Sequence, residues 1–184
     1  MTGDDSETIR QIEQAAQGTE PISANRVKTW MLQPSLEVQG ELVLLMLQHS
    51  HQIEPPLTMK EICRAVQSYY RRCLIENLQQ NDHVPNRHVA GYELVRWFTS
   101  LWRDATVPRE YLVELREMLR QLLIEDKVPQ EEIVTAVLEH LFEIPEIADF
   151  FTDWKSNPKL AGAIALASEW VEKSPKSAGG SPLD

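Results

Sequence analysis

The sequence predicts an all-α protein, an irregular multi-helix bundle of about seven or eight helices joined by short proline-led turns. Segments beginning at Val107, Val128 and Ile144 each open with a β-branched residue followed by proline. Proline fits the first turn of a helix, where its missing N–H would have no partner anyway. Apolar residues then recur at helical spacing, and no segment shows the convincing alternation of a β-strand.

Stacked helical hairpins are the alternative architecture. The three proline-led openings lie 21 and 16 residues apart, from 107 to 128 and from 128 to 144. A solenoid repeats at a fixed period, so this irregular spacing favours the bundle.

Length and composition indicate one soluble globular domain, or a compact pair of lobes. The chain has 184 residues, of which 42% are hydrophobic and 25% charged. A formal net charge of −10 argues against binding of nucleic acid or anionic membranes by the whole surface. The longest apolar run, Leu42–Leu47, has six residues, whereas a membrane span needs about 20. We therefore expect no membrane partner.

Cysteine usage and the N-terminus predict a cytoplasmic protein. Cys63 and Cys73 lie on one predicted helix, about 15 Å apart at the ordinary helical rise, which is too far for a disulfide. Two unpaired thiols fit a reducing compartment. The N-terminus is acidic and lacks the basic-then-apolar order of a secretory signal.

Three regions are expected along the chain. Residues 1–22 form a weakly ordered N-terminal arm, because the helical stretch 4–17 has only Ile9 and Ile12 as large apolar residues. Residues 23–173 form a single all-helical domain. Residues 174–184 lack apolar periodicity and are predicted to be a disordered tail.

The first half of the domain contains a helix predicted to be central. After Pro34, apolar residues surround the helix on nearly all sides, which is typical of a buried helix. Thr58 and Glu61 then have the spacing of a capping box, which opens a helix running to about Gln80.

The second half is predicted to hold a helix from about Pro85 to Arg103 and the proline-led helices after it. Gly91 weakens the first of these by about 1 kcal/mol relative to alanine unless a neighbour packs closely against it. The aromatic residues Phe150, Phe151 and Trp154 are predicted to lock the last helices onto the core rather than to enter a partner's groove.

The sequence contains no recognisable catalytic, cofactor or metal motif. Zinc helices need two histidines four residues apart around a glutamate, and di-iron bundles need Glu-x-x-His; neither pattern occurs. Glycine-rich phosphate loops and nucleophile elbows are also missing. We expect no cofactor and no metal, and favour a protein that is not an enzyme. The histidines, expected to be surface or packing residues, are His49, His51, His83, His88 and His140.

Charge is unevenly distributed. Residues 1–57 carry three Lys/Arg against eight Asp/Glu, residues 58–104 carry seven against five, and residues 105–184 carry eight against fifteen. The middle segment is therefore mildly basic in an acidic protein. The competing interpretation is that its arginines pair with acidic residues of the same molecule.

These patterns predict a non-enzymatic intracellular protein-binding or regulatory protein, such as an adaptor or an immunity/antitoxin-type inhibitor, that uses charged helix faces. The alternatives are a nucleic-acid-binding regulator acting through segment 58–104, and an enzyme or small-ligand binder with a site between helices. The candidate partner-binding residues are Lys60, Arg64, Arg71, Arg72, Tyr92, Arg96, Arg103, Glu131 and Glu132.

Overall fold

A computed structural model describes residues 3–125 and 127–173. By its internal contacts the chain divides into two compact units, Met1–Asn86 and Arg87–Asp184. Each unit is described by itself. The expected single domain over residues 23–173 stays a prediction, because compactness alone does not decide whether the units fold independently. The expected tail, residues 174–184, lies outside the described residues.

Among its described residues the first unit is mainly helical, and it contains a two-residue parallel bridge that the sequence did not predict. Ile22 of β1 pairs with Ile53 of β2. Both isoleucines are buried, so the connection before α2 and the connection after α3 each contribute a side chain to the core. The elements are α1 (Gly3–Gln17), β1 (Ile22–Ser23), α2 (Ala24–Met31), α3 (Leu36–His49), a 3-10 turn (Ser50–Gln52), β2 (Ile53–Glu54) and α4 (Met59–Glu76).

Helix α1 packs against α3 through its two large apolar residues. Ile9 and Ile12 are both buried. The segment predicted to be a weakly ordered arm thus contributes side chains to the core of this unit. Two isoleucines three residues apart lie on the same side of the helix, so both can pack against α3.

Helix α3 is buried on fewer sides than its composition predicts. Leu42, Leu45 and Met46 are buried, but Leu44 and Leu47 are 49% and 38% exposed. The expectation of near-complete burial is therefore wrong for these two leucines. Composition could not reveal this, because it gives the apolar width of a helix and not the number of neighbours.

Helix α4 begins with the predicted capping box. The Thr58 hydroxyl accepts from the Glu61 backbone N–H at 3.2 Å, and the Glu61 carboxylate accepts from the Thr58 backbone N–H at 2.8 Å. The helix ends earlier than the predicted Gln80, since Asn77 adopts a left-handed conformation with φ 43°. Cys63 and Cys73 are buried and are not joined by a disulfide bond, as predicted.

Within residues 87–125 and 127–173, the second unit consists of helices joined by short turns, and the all-α prediction is confirmed in both units. Unexpectedly, the segment after Pro129 contains a π-helical turn rather than one continuous α-helix. The elements are α5 (Arg87–Arg103), α6 (Arg109–Ile124), α7 (Gln130–Ile133), the π turn (Val134–Leu138), α8 (Glu139–Phe142), α9 (Pro145–Phe150), a 3-10 turn (Thr152–Ser156) and α10 (Ala161–Lys173).

The π turn packs closely against α5 at Gly91. A Cβ at Gly91 would clash with the backbone O of Ala136 and lie 2.8 Å from its carbonyl C. The neighbouring backbone occupies the space that a side chain at position 91 would need, so this position in α5 favours glycine.

An aromatic cluster joins α8, α9 and the 3-10 turn. Phe151 and Trp154 are buried, and their ring centroids lie 4.8 Å apart in an edge-on arrangement. The guanidinium of Arg116 lies 5.1–5.7 Å from the ring centroids of Phe150, Phe151 and Trp154. The aromatic residues near the C-terminus thus belong to the core, as predicted.

No helix within the described parts of the chain combines the length and the apolar character needed to cross a membrane.

Candidate partner-binding groove

An apolar groove opens between α2, α3 and α4 of the first unit. Its floor is formed by Met31, Leu42, Val43 and Met46, and its volume is about 210 Å³. Leu42, Val43 and Met46 also belong to the buried core of this unit. Leu32, which follows Met31 in the chain just after α2 ends, is 83% exposed. A large exposed apolar side chain is thus the sequence neighbour of a groove residue.

Two exposed cations lie on one face of α4, and one of them lines the groove. Arg64 lines the groove, and Lys60 precedes it by four residues, which puts both on the same helix face. Both side chains are exposed. Neither makes an ion pair or hydrogen bond with any residue in ranges 3–125 and 127–173. Their charges are therefore available to a partner.

The nearest carboxylate on this part of α4 is already engaged. Glu61 Oε1 forms an ion pair with Lys28 Nζ at 2.9 Å. The hydrogen bond from Lys28, together with those from Thr58, lowers the pKa of Glu61 to about 2. Glu61 therefore stays ionised and paired with Lys28, and Lys60 and Arg64 keep an uncompensated positive charge.

The other two predicted cations of α4 differ from Lys60 and Arg64. The Arg72 guanidinium donates to the Pro34 carbonyl at 2.8 Å and to Gln39 Oε1 at 2.9 Å, and it pairs with Glu76. It thus ties α4 to the start of α3, as the interpretation by intramolecular pairing anticipated. Arg71 is half-buried and also has an intramolecular interaction. A partner-binding role for these two residues stays a prediction.

The remaining predicted residues of the basic segment belong to the second unit. Arg96 and Arg103 are exposed, and in the described part of the chain neither forms an ion pair. Tyr92 lies at the surface, and its ring meets His140 edge-on with a centroid distance of 6.1 Å. The segment 58–104 therefore contributes to both units.

The two predicted acidic residues have different surroundings. The Glu131 side chain is exposed and makes no ion pair within the described residues. Glu132 pairs with Arg87, whose guanidinium is almost fully buried. Burial lowers the pKa of Arg87, because desolvation disfavours the charged guanidinium. Glu132 therefore has a structural role that Glu131 lacks.

A second cavity, of about 570 Å³, lies in the second unit and contains the convergent polar groups expected of a ligand site. Its charges are paired internally: Arg116 bonds to Asp153, and Arg120 bonds to Glu117 at 2.8 Å. The hydrogen bond from Arg116 lowers the pKa of Asp153. These pairs reduce the net charge that the cavity presents to a ligand.

Sequence reasoning identified Lys60 and Arg64 but missed the apolar half of the groove. Met31, Leu32 and Met46 have the same helical spacing as core residues, so periodicity could not separate them from the core. A weak signal was available in Leu32, which is a large apolar residue at a helix end just before Pro34.

No protein-family model, no curated protein and no solved structure matches this chain. The interpretation of the groove therefore depends on its own geometry and charge.

Proposed function

We propose that this protein binds another protein and that the groove of α2, α3 and α4 receives an acidic amphipathic helix of the partner. The observation that supports this most directly is the combination of an apolar floor with Lys60 and Arg64, two cations to which no acidic residue of the described chain is bonded. An amphipathic helix places apolar anchors on one side and carboxylates on its flanks, so it satisfies both features.

The size of the groove favours side-chain anchors over a small molecule. Sites for small ligands usually have about 300–1,000 Å³, whereas this groove has about 210 Å³. That volume suits one or two apolar side chains. Leu32, which is 83% exposed, supplies further apolar area to cover the rest of the helix.

The charge of the groove also sets the sign of the partner. Positive charge at the rim attracts carboxylates and repels lysine and arginine, so electrostatics acts on specificity and on the rate of association. In a protein of net charge −10, a basic rim is a local exception, and it marks this face as different from the rest of the surface.

The test uses a designed helical peptide with leucines at positions i, i+3, i+4 and i+7 and glutamates on both flanks. Binding is measured by fluorescence polarisation at low and physiological salt. Leu32→Ala and Arg64→Glu are each expected to weaken binding at least about tenfold, since each removes about 1.4 kcal/mol or more of interaction. A peptide with lysine in place of every glutamate is expected to bind much more weakly.

Matched controls lie outside the groove. Leu44 is also an exposed leucine, but it lies on another side of α3, so Leu44→Ala is expected to leave binding unchanged. Arg96→Glu reverses an exposed charge in the second unit and has the same expectation. Equal loss in the controls, or equal binding of the lysine peptide, would contradict the proposal. Tighter binding of single-stranded or duplex DNA than of the acidic peptide would favour the nucleic-acid hypothesis instead.

A further inference from the structure

Three side chains with metal-ligating atoms converge in the first unit. Glu13 comes from α1, Glu41 from α3, and His83 from the segment that follows α4. One carboxylate oxygen of each glutamate and a ring nitrogen of His83 all lie within 4.8 Å of one another. His83 Nδ1 lies 2.9 Å from Glu41 Oε1. The three residues are far apart in the sequence, which is why no spacing motif revealed them.

Several contacts of its own segment hold His83 in place. The backbone N–H groups of His83 and Val84 both donate to Asn81 Oδ1 at 2.9 Å. A Cβ at Gly40 would clash with the His83 carbonyl oxygen, so glycine at this position allows the segment to lie directly on α3. These contacts hold the imidazole beside Glu41 and explain its position without a ligand.

The donor set, in contrast, points to a cation. Glu13 and Glu41 hold two carboxylates close together, and a bound cation would relieve the repulsion between them. The Glu13 side chain makes no hydrogen bond or ion pair with any residue the structure describes. An imidazole added to two carboxylates is a mixed nitrogen and oxygen set, which differs from a plain acidic surface patch.

We propose that Glu13, Glu41 and His83 bind a Zn²⁺ ion. Zinc accepts imidazole nitrogen and carboxylate oxygen at about 2.0–2.2 Å, which places neighbouring ligand atoms about 3.3 Å apart in a tetrahedral site. The His83–Glu41 distance of 2.9 Å is close to that value. The Glu13 ligand atom lies within 4.8 Å of the other two, and its side chain, which is bonded to no described residue, can move inward to complete the set. Three protein ligands leave a fourth position to water.

The proposal is independent of the groove, and its test uses the full chain and zinc chloride alone. The protein is first freed of metal with EDTA and dialysed, and zinc binding is measured by isothermal titration calorimetry. One zinc ion per chain is expected. Loss of an outer-shell partner alone weakens metal sites about 10–100-fold, so Glu13→Gln, Glu41→Gln and His83→Asn should each weaken binding at least tenfold. Zinc should also raise the melting temperature of the wild-type protein.

The control is His51→Asn, because His49 and His51 have ring centroids 6.3 Å apart and are a second pair of neighbouring groups that zinc could contact. This variant is expected to bind zinc like the wild type. Glu13→Gln is the decisive variant, since it breaks no bond between described residues and its fold can be checked by circular dichroism. Absence of zinc binding, unchanged binding in Glu13→Gln, or loss of binding in His51→Asn would each overturn the proposal.

Discussion

The close approach of the π turn to α5 leads to a prediction whose sign opposes helix propensity. Gly91 lies inside α5, where alanine ordinarily stabilises a helix by about 1 kcal/mol relative to glycine. Here the added Cβ would clash with the Ala136 carbonyl oxygen and lie 2.9 Å from the Ala136 Cβ. Gly91→Ala is therefore expected to destabilise the protein.

The magnitude follows from two opposing contributions. Overpacking a close-packed interior typically costs about 1–3 kcal/mol, and sometimes more. The atoms that obstruct the Cβ at Gly91 belong mainly to backbone, which cannot rotate away as a flexible side chain would. Because backbone obstructs the Cβ, we expect a cost in the upper part of that range, about 2–3 kcal/mol. Subtracting the propensity gain of about 1 kcal/mol leaves a loss in the free energy of unfolding of about 1–2 kcal/mol.

Urea unfolding followed by circular dichroism and tryptophan fluorescence measures this loss. Gly162→Ala is the matched control, because a Cβ at Gly162 in α10 would meet no atom within 4 Å. That change is expected to stabilise the protein by a few tenths of a kcal/mol to about 1 kcal/mol. The two glycine variants should therefore lie on opposite sides of the wild type. A Gly91→Ala protein as stable as the wild type would refute the close approach of α5 and the π turn.

Two further predictions concern carboxylates with structural partners. Glu132→Gln removes an ion partner of the buried Arg87 and is expected to lower the free energy of unfolding by about 1–3 kcal/mol. In the same urea assay, Glu131→Gln at the exposed neighbouring position should change the free energy of unfolding by less than about 0.5 kcal/mol. Equal effects of the two changes would contradict the pairing of Glu132 with Arg87. The pKa of Glu61 is lowered to about 2, chiefly by the hydrogen bond from Lys28, so its stabilising contribution is complete above its ordinary pKa near 4.5 and is lost as the pH falls toward 2. Unfolding measured between pH 5 and pH 2 should therefore show a weaker pH dependence in Glu61→Gln than in the wild type, and an identical dependence would argue against the paired carboxylate.

The local features of the fold could be predicted because they depend on short-range chemistry. The capping box at Thr58 and Glu61 needs two residues three positions apart, and both of its bonds are present. The burial of Cys63 and Cys73 follows from helical periodicity in the same way. Such patterns are contained within a single helix and do not depend on the rest of the chain.

Features that depend on contacts between distant segments were missed. The bridge between Ile22 and Ile53 has only two residues in each strand, which is too short for periodicity to detect. Leu44 and Leu47 are exposed because α3 lacks neighbours on that side, and the composition of α3 holds no information about its neighbours. The π turn after Pro129 likewise follows from packing against α5.

In the candidate site, too, features within one helix could be predicted, whereas features that depend on distant segments could not. Lys60 and Arg64 could be identified as exposed cations, because charge on one helix face is visible in the sequence. The sequence could not predict whether an arginine is available to bind a partner. Arg72, for example, is bonded to Pro34 and Gln39, residues more than 30 positions away. The floor of the groove also required three helices to be placed together.

Hydrogen–deuterium exchange of the protein with and without the acidic helical peptide tests the central claim most directly. If the groove receives the peptide, protection should increase in peptides from α2, from the α3 stretch Gln39–Met46 and from the first half of α4. The second unit should serve as an internal reference with little change. Protection confined to the second unit around Arg96, or no protection under conditions where the peptide binds, would contradict the proposed function.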